Sequence, residues 1–485
     1  MGTAIAQVEC MVNNIMAFVH GVGRQLEIAE VERHLLSLVM EVGRAGLQEY
    51  VAAKGTGYAG REFVDDQGAQ YAYVRDRNRT YRSIFGPVVI PRAYYQIAGS
   101  SGICPLDGDL NLPSRGYSYV VQEFSSRLAV NTSYENAVEI LGSFFPIKMP
   151  LRSLEGVVGD LSDGVGHYYE QAKTLEISPE AVVTVATVDK KGIVIRQPDS
   201  GQTDPHTKSS DPDKPGKKKM ATVISAYTIP RHERTVDDIV REVSGKNGAD
   251  SKPKPEGKQI WGSLTDGPEK TVLRLNRAVA QRLPEGNELV CILDGERSLW
   301  KLVYQYFPAA FFVLDIFHVL EHLTKAAHCF HPEHSTQARV FVTDRLRMLL
   351  TGKAGRLIGG LKQMLAKHKL SNSKRYDLKQ VIGYMERNKG HLCYDICLER
   401  GYPIGSGVIE GACRNLINDR LELTGMSWNI HGAEAVMRLR AVHINKDWDA
   451  FWTHRRRSEK RRLYGLQDQQ IYSADIRDQE LSRAA

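Results

Sequence analysis

Acidic residues close three apolar, β-prone runs of the chain. Asp189 follows Ala181–Val188, Asp294 follows Leu289–Leu293, and Asp315 follows Ala310–Leu314. In parallel α/β sheets, ligand sites lie outside the carboxyl ends of the strands. A carboxylate beside a buried strand is costly to leave unpaired. Hydrated Mg²⁺ takes few protein carboxylates and fills its other positions from water and phosphate. Two such ions about 4 Å apart clamp the attacking and leaving oxygens of a phosphodiester. Any single strand-end Asp is more commonly a helix cap or turn residue, and three in succession lower that reading without removing it. A further carboxylate must come from elsewhere. Glu410 stands in Tyr402-Pro-Ile-Gly-Ser-Gly-Val-Ile-Glu-Gly-Ala-Cys-Arg414. Ser406 is expected to cap a helix there, which puts Arg414 on the face of Glu410, four residues on. Pattern alone does not choose Glu410 over Glu422.

A rival chemistry resides in His318, His322, His328, Cys329, His331 and His334. His318 and His322 share a helical face at a spacing that suits zinc. Val319, Leu320 and Glu321 lie between them, which is the wrong order for His-Glu-x-x-His. Catalytic zinc is therefore disfavoured. Cys393 and Cys397 have no second pair and read as packed thiols. No Walker loop, dinucleotide fingerprint or Ser/His/Asp motif is present.

The elements that must position these residues run as follows. Residues 26–53 have the periodicity of a long amphipathic helix, with Ile28, Val31, Leu35, Val39 and Val42 in register. Residues 81–85 and 88–95 read as strands around Gly86-Pro87, the second an edge strand because of Pro91. Residues 113–172 turn helical. Thr132 and Glu135 suit a capping box, and a further helix is expected from Leu151 to about Tyr169. Short turns between these helices fit either a helix-turn-helix DNA-binding domain or a plain three-helix bundle. Residues 181–188 then read as a buried strand, with Gly192–Arg196 returning as its hairpin partner, and Ala221–Tyr227 as a third strand. Pro198–Gly216 and Gly248–Gly257 read as loops. A helix over Thr271–Arg282 and strands over 289–293 and 310–314 complete a mixed α/β pattern. Residues 319–398 are mostly helical, and 406–419 and 432–445 supply two more helices. The expected domains are therefore 1–110 (helix and hairpin), 111–175 (helical), 180–318 with 400–450 (catalytic core), 319–398 (helical insertion) and 451–485 (basic tail).

Composition sets outer bounds. The chain has 485 residues, with 42% hydrophobic and 25% charged residues, enough to bury cores. No apolar run reaches the roughly 18 residues of a membrane helix. The first 20 residues lack a secretion signal's pattern. Seven cysteines do not suggest a disulfide framework, so a cytoplasmic location is expected. Lys+Arg exceed Asp+Glu, 64 to 57, and two basic clusters suit phosphate contacts: Lys217, Lys218 and Lys219, and Arg455, Arg456 and Arg457. Their bland reading is a solvated loop and a solvated tail.

The sequence resembles the DDE transposases of bacterial insertion sequences, specifically the ISKra-type family, with a distant likeness to the Mutator-like group. The carrying segments are Thr187-Val-Asp-Lys-Lys-Gly192, Leu293-Asp-Gly-Glu296, Leu314-Asp-Ile-Phe-His-Val-Leu-Glu-His322 and Gly405–Arg414, followed by Asp419-Arg420 and Thr424-Gly-Met-Ser-Trp428. Arg92-Ala-Tyr-Tyr95 and Pro105-Leu-Asp107 extend the resemblance upstream, so that it spans roughly residues 80–450. It implies an α/β, ribonuclease-H-like core with a helical insertion, preceded by a mainly helical DNA-binding region. It also implies Asp189, Asp294 and Glu410 as the metal-binding catalytic triad. Asp315 and His318 match an accessory motif near the site. Mg²⁺ would be the cofactor, with Mn²⁺ substituting. Double-stranded DNA would be the partner and a homo-oligomer on DNA the assembly, in a bacterial cytoplasm at the nucleoid. Lys190 departs from the family pattern, which favours a small residue there; with Arg414 it is a candidate to stabilise transition-state charge. The expected activity is cleavage at element ends followed by 3′-hydroxyl strand transfer. The alternatives are a DNA-binding protein that has lost catalysis, or a structure-selective nuclease of the same fold. The role of residues 1–80 is open between DNA binding and assembly.

Overall fold

The N-terminal residues form a helical hairpin joined to a small sheet. The computed structural model describes residues 2–170, 175–196, 218–243, 245, 253–282, 288–423 and 425–465. The chain divides into two compact units, residues 1–168 with 446–485, and residues 169–445. In the first, α1 (Gly2–His20) and α2 (Ile28–Lys54) pack together, and α2 ends where Gly55 takes φ of 68°. A three-stranded antiparallel sheet follows: β1 (Glu62–Val64), β2 (Gln70–Ser83) and β3 (Gly86–Gln96), in that order. Pro91 does lie on an edge strand, β3, where its missing N–H breaks no ladder. β2 starts well before the expected Tyr81. Its charged stretch Arg75–Arg79 disguises a strand in which only alternate residues are half-buried.

After α3 (Pro105–Asp109) come three helices, α4 (Tyr119–Ala129), α5 (Tyr134–Phe144) and α6 (Leu151–Glu170). The cap of α5 is Ser133, not Thr132: the Ser133 hydroxyl accepts from Asn136 N–H at 3.1 Å. The helix Trp448–Tyr464 belongs to this unit. The expected basic tail is thus helical through Tyr464, because Phe451 and Trp452 are buried and anchor it. The hairpin region and the three helices, separated at residue 110 in the sequence reading, fall in one unit.

The second unit is built on a five-stranded sheet in the order β6-β5-β4-β7-β8. Its strands are β4 (Val183–Val194), β5 (Lys218–Ile229), β6 (Glu256–Ser263), β7 (Glu288–Leu293) and β8 (Phe311–Leu314). β4, β5 and β6 are antiparallel neighbours, whereas β4, β7 and β8 run parallel. Gly192–Val194 do not return as a hairpin partner. They continue β4, pairing with Met220, Lys219 and Lys218 of β5. β6 has no counterpart in the sequence reading; its short apolar core, Ile260-Trp261, abuts a charged loop. The loop expected over Pro198–Gly216 lies outside the described residues, as does much of Gly248–Gly257.

The long apolar runs of β4 and β5 are buried because helices cover the sheet. α7 (Val236–Val243) follows β5, α8 (Gly267–Ala280) packs on β5 and β4, and α9 (Arg297–Tyr306) joins β7 to β8. The insertion comprises α10 (Ile316–His328), α11 (Thr336–Leu350), α12 (Ala354–Lys367), α13 (Asn372–Arg387) and α14 (Tyr394–Glu399). Leu349, Leu361, Leu378 and Met385 are buried at its core. α15 (Gly407–Cys413) packs on β4 and β5 and runs into a π-helical turn, Arg414–Asn418. α16 (Asp419–Leu421) and α17 (Ile430–Ile444) complete the unit, the latter against β6.

Candidate active site

Asp189 lies inside β4, opposite Val223 of β5, rather than at the strand's end. The β4–β7 pairing stops at Thr187–Ile292, so Asp189 projects beyond the parallel part of the sheet. One carboxylate oxygen accepts the Lys190 N–H at 2.6 Å, and the other takes the Cys413 thiol at 3.4 Å. Burial, reinforced by the charge of Asp189, pushes that thiol above its ordinary range.

Asp294 directly follows β7. Its carboxylate accepts the Glu296 N–H at 2.9 Å, and its carbonyl accepts the Tyr384 hydroxyl of the insertion at 2.7 Å. Gly295 turns the chain at φ of 98°, and a Cβ there would stand 2.9 Å from the Tyr384 ring. Both the conformation and the close approach call for glycine after this Asp. Burial pushes the Asp294 carboxyl above its ordinary 3.8; the Asp189 charge adds to the push, while the Glu296 N–H and His318 oppose it.

Glu410 occupies the first turn of α15. Although Glu410 is exposed, partial desolvation by its neighbours pushes its carboxyl above the ordinary 4.5, with the charges of Asp315, Glu321 and Asp189 adding and His318 opposing. Asp189 and His318 therefore each act on both Asp294 and Glu410. Glu422 stands apart from them, paired with Lys218 at 3.5 Å.

Asp315 has a different occupation. Wholly buried, it caps α10 by accepting the Phe317 N–H at 3.0 Å, and it also accepts the N–H and hydroxyl of Ser406. The cap reading holds for this one of the three strand-end Asp residues. Ser406 is correspondingly at the start of α15 but makes no side-chain cap there. Asp315 thus ties the end of β8 to the start of the helix that carries Glu410.

Two expected partners point elsewhere. Arg414 is highly exposed and lies 3.6 Å from Asp419, not against Glu410, because the chain passes into the π-helical turn at that residue. Lys190 reaches Glu296 at 3.0 Å and Ser298 at 2.8 Å. Glu296 caps α9 through Leu299 N–H. Burial alone would raise the Glu296 carboxyl, but its bonds to Ser298 and Lys190 hold it below the ordinary value. The link from Lys190 to Glu296 and Ser298 was not foreseen; the unusual Lys at 190 was its only sequence signal.

The histidine cluster does not assemble. His322 stacks on Tyr384 with ring centroids 3.7 Å apart, its Nδ1 is buried without a hydrogen-bond partner among the described residues, and burial lowers its pKa to about 4. Among the described residues, no three His, Cys, Asp or Glu side chains form a ready-made metal site. Asp189, Asp294 and Glu410 offer carboxylate oxygens, the ligand type of a hard divalent cation, with the Cys413 thiol beside Asp189.

Of the basic candidates, Arg455 is half-buried in an ion pair with Glu459 at 3.3 Å, whereas Arg456 and Arg457 are exposed. Lys218 and Lys219 are exposed at the start of β5. Lys217 lies outside the described residues. No helix among the described residues is long and apolar enough to cross a membrane.

No protein-family model matches the chain, and no curated protein matches it in sequence. Among solved structures, a Drosophila P element transposase strand transfer complex aligns at 10% identity and a TM-score of 0.23, over 68% of this chain and 79% of that one. A TM-score that low does not define a shared fold.

Proposed function

We propose that the chain is a DNA transposase of the ISKra-type insertion-sequence group, acting through a ribonuclease-H-like core in residues 180–318 and 400–450. The observation that carries the reading is that Asp189, on β4, acts on both Asp294, after β7, and Glu410, on α15, and that His318 faces the same two carboxyls. Asp189 repels the other two carboxylates from the central strand of a mixed sheet of order β6-β5-β4-β7-β8. That sheet order also supports a ribonuclease-H-like core. Repulsion of this kind is retained where function needs it.

Asp189, Asp294 and Glu410 would hold Mg²⁺, or Mn²⁺ in its place. Bound there, the metal supplies a lowered pKa for water or a 3′-hydroxyl and charge stabilisation for the departing oxygen. The chain's own residues do the positioning. Tyr384 fixes the backbone of Asp294, and Asp315 with Ser406 fixes the start of α15 under Glu410. Lys190 and Glu296 tie the strand bearing Asp189 to the segment after Asp294. Lys218, Lys219, Arg456 and Arg457 are candidate phosphate contacts, and α4–α6 are a candidate DNA-binding region.

The test uses the full chain with DNA carrying the inverted repeats that flank its reading frame. The expected result is Mn²⁺- or Mg²⁺-dependent nicking at the repeat ends and joining of the freed 3′ ends to a second DNA. Asp294→Asn should abolish both while retaining DNA binding. Nicking without joining would shift the assignment to a structure-selective nuclease; binding without nicking would shift it to a DNA-binding protein that has lost catalysis.

A further inference from the structure

Cys393 and Cys397 stand one helical turn apart, where the insertion gives way to the segment leading to α15. The Cys397 N–H donates to the Cys393 carbonyl at 3.2 Å and closes the first turn of α14 between them. Their side chains meet, each thiol being a hydrogen-bond neighbour of the other. Cys393 is half-buried, and its thiol also donates to the Phe312 carbonyl of β8 at 3.6 Å. Cys397 is fully buried. Contact sets the two thiols apart in acidity. The Cys393 thiol is held below its ordinary 9.0 because its thiolate accepts the Cys397 S–H, with burial and the Asp395 charge opposing. Cys397, the donor of that bond, is pushed up by it and by burial. Burial pushes the thiols of Cys104, Cys291, Cys329 and Cys413 up as well. The thiolate is the form that oxidants attack, and a redox-responsive cysteine is an accessible one beside a resolving partner.

We propose that Cys393 and Cys397 form an oxidation site that hydrogen peroxide closes to a reversible disulfide. The Cys393 thiolate attacks one oxygen of the peroxide. An S–O bond forms, the O–O bond breaks, and the departing hydroxide takes the proton that Cys393 gave up. The sulfur of Cys397 then attacks the sulfenic sulfur of Cys393 and loses its own proton. The S–S bond forms, the S–O bond breaks and a second water leaves. The two thiols give up two hydrogens with their electrons, and the peroxide is reduced to two waters. Geometry makes the bond easy to reverse. Residues four apart in a helix hold their Cβ atoms about 5–6 Å apart, against about 4 Å in a disulfide. Cys393 precedes the helix, with φ of −91° and ψ of 48°, so the adjustment falls on a residue without helical conformation. The strain that remains favours reduction by thiols. Closure removes the Cys393 thiol from the Phe312 carbonyl. α14 stays anchored meanwhile, since the Tyr394 hydroxyl donates to the Leu314 carbonyl at 2.7 Å. The inference stands independently of the catalytic reading, for it needs neither metal nor DNA.

The test treats the reduced full chain with hydrogen peroxide and then caps free thiols with N-ethylmaleimide. Trypsin releases Gly390–Arg400, which holds these two cysteines and no other. By mass spectrometry this peptide should lose two hydrogens and take no maleimide, and dithiothreitol before capping should restore both adducts. Cys393 should be consumed about tenfold faster than Cys104 or Cys329. In Cys397→Ser the sulfenic acid of Cys393 has no resolving partner and should be trapped by dimedone. In Cys393→Ser, Cys397 should stay reduced. Circular dichroism establishes that the oxidised chain and both variants keep their fold. Peroxide that oxidises Cys104 or Cys329 while Gly390–Arg400 stays reduced overturns the proposal. So does a disulfide that forms only in urea, or dimedone labelling of Cys397 in Cys393→Ser as fast as that of Cys393 in Cys397→Ser.

Discussion

Asp315→Ala should cost far more than the loss of an ordinary helix cap. Removing the cap of α10 costs about 1 kcal/mol. The substitution also strips the acceptor from the Ser406 hydroxyl and N–H, both buried. Leaving such donors unpaired costs about 1–3 kcal/mol. The sum is about 3 kcal/mol. For a unit of this size, about 2–4 °C accompanies each kcal/mol, so the unfolding transition of residues 169–445 should fall by about 6–12 °C. Asp315→Asn keeps an acceptor oxygen of the same reach and should lose about 1 kcal/mol. The internal reference is Ser371→Ala, an exposed cap in the same unit whose hydroxyl serves Lys374 N–H alone among the described residues, expected to lose about 1 kcal/mol. Calorimetry of the metal-free full chain reads all three. Equal losses for Asp315→Ala and Ser371→Ala would refute the bridge from β8 to α15. On the proposed transposase reading, DNA nicking by Asp315→Asn should slow without being abolished, since Asp315 holds Ser406 at the start of α15 and stands behind Glu410.

Three further outcomes follow from the same geometry. Native Asp294 and Glu410 are raised above their ordinary 3.8 and 4.5, so the folded state binds more protons than the unfolded one just above those values; metal-free stability should therefore fall as pH rises through that window and stay lower above it. Asp294→Asn should flatten this profile, raise metal-free thermal stability at pH 7 and, on the proposed metal-binding role, weaken the stabilisation expected from added Mg²⁺, all read by melting curves; an unchanged profile would contradict the raised Asp294 carboxyl. Asp107→Ala should destabilise the first unit by about 3 kcal/mol in urea unfolding, because it leaves the half-buried Arg92 and Arg79 without their common carboxylate; a loss below 1 kcal/mol would show that pair to be incidental. His322→Phe should change stability by less than about 1 kcal/mol, since a stacked ring is exchanged for a stacked ring, and a zinc chelator should leave the melting curve of the wild type unmoved.

What the sequence made legible follows from how local each signal is. The runs at 183–188, 289–293 and 311–314 were readable as strands because burial on both faces leaves continuous apolar stretches. Continuity beyond a polar residue was not readable: β4 carries Asp189, Lys190 and Lys191 in mid-strand because β5 pairs along its whole length, a fact supplied by residues 24 to 46 positions away. β6 escaped for the related reason that an edge strand beside a charged loop shows only two strong apolar residues. Among the candidate site residues, the residue types were legible but their partners were not, nor was the mid-strand place of Asp189. Asp315 and Asp294 end similar strands, yet one is spent on Phe317 and Ser406 while the other accepts the Glu296 N–H and has no side-chain hydrogen bond among the described residues. The choice between Glu410 and Glu422 turns on α15 lying against β4, whereas Glu422 comes after the π-helical turn and meets Lys218. The same turn takes Arg414 away from Glu410, although spacing alone places them on one face. A π-helical turn inserts a residue into the α-helical register and is frequent at functional sites. Here it allows one short helical segment to offer Glu410 and Cys413 to the Asp189 side while sending Arg414 and Asp419 to solvent.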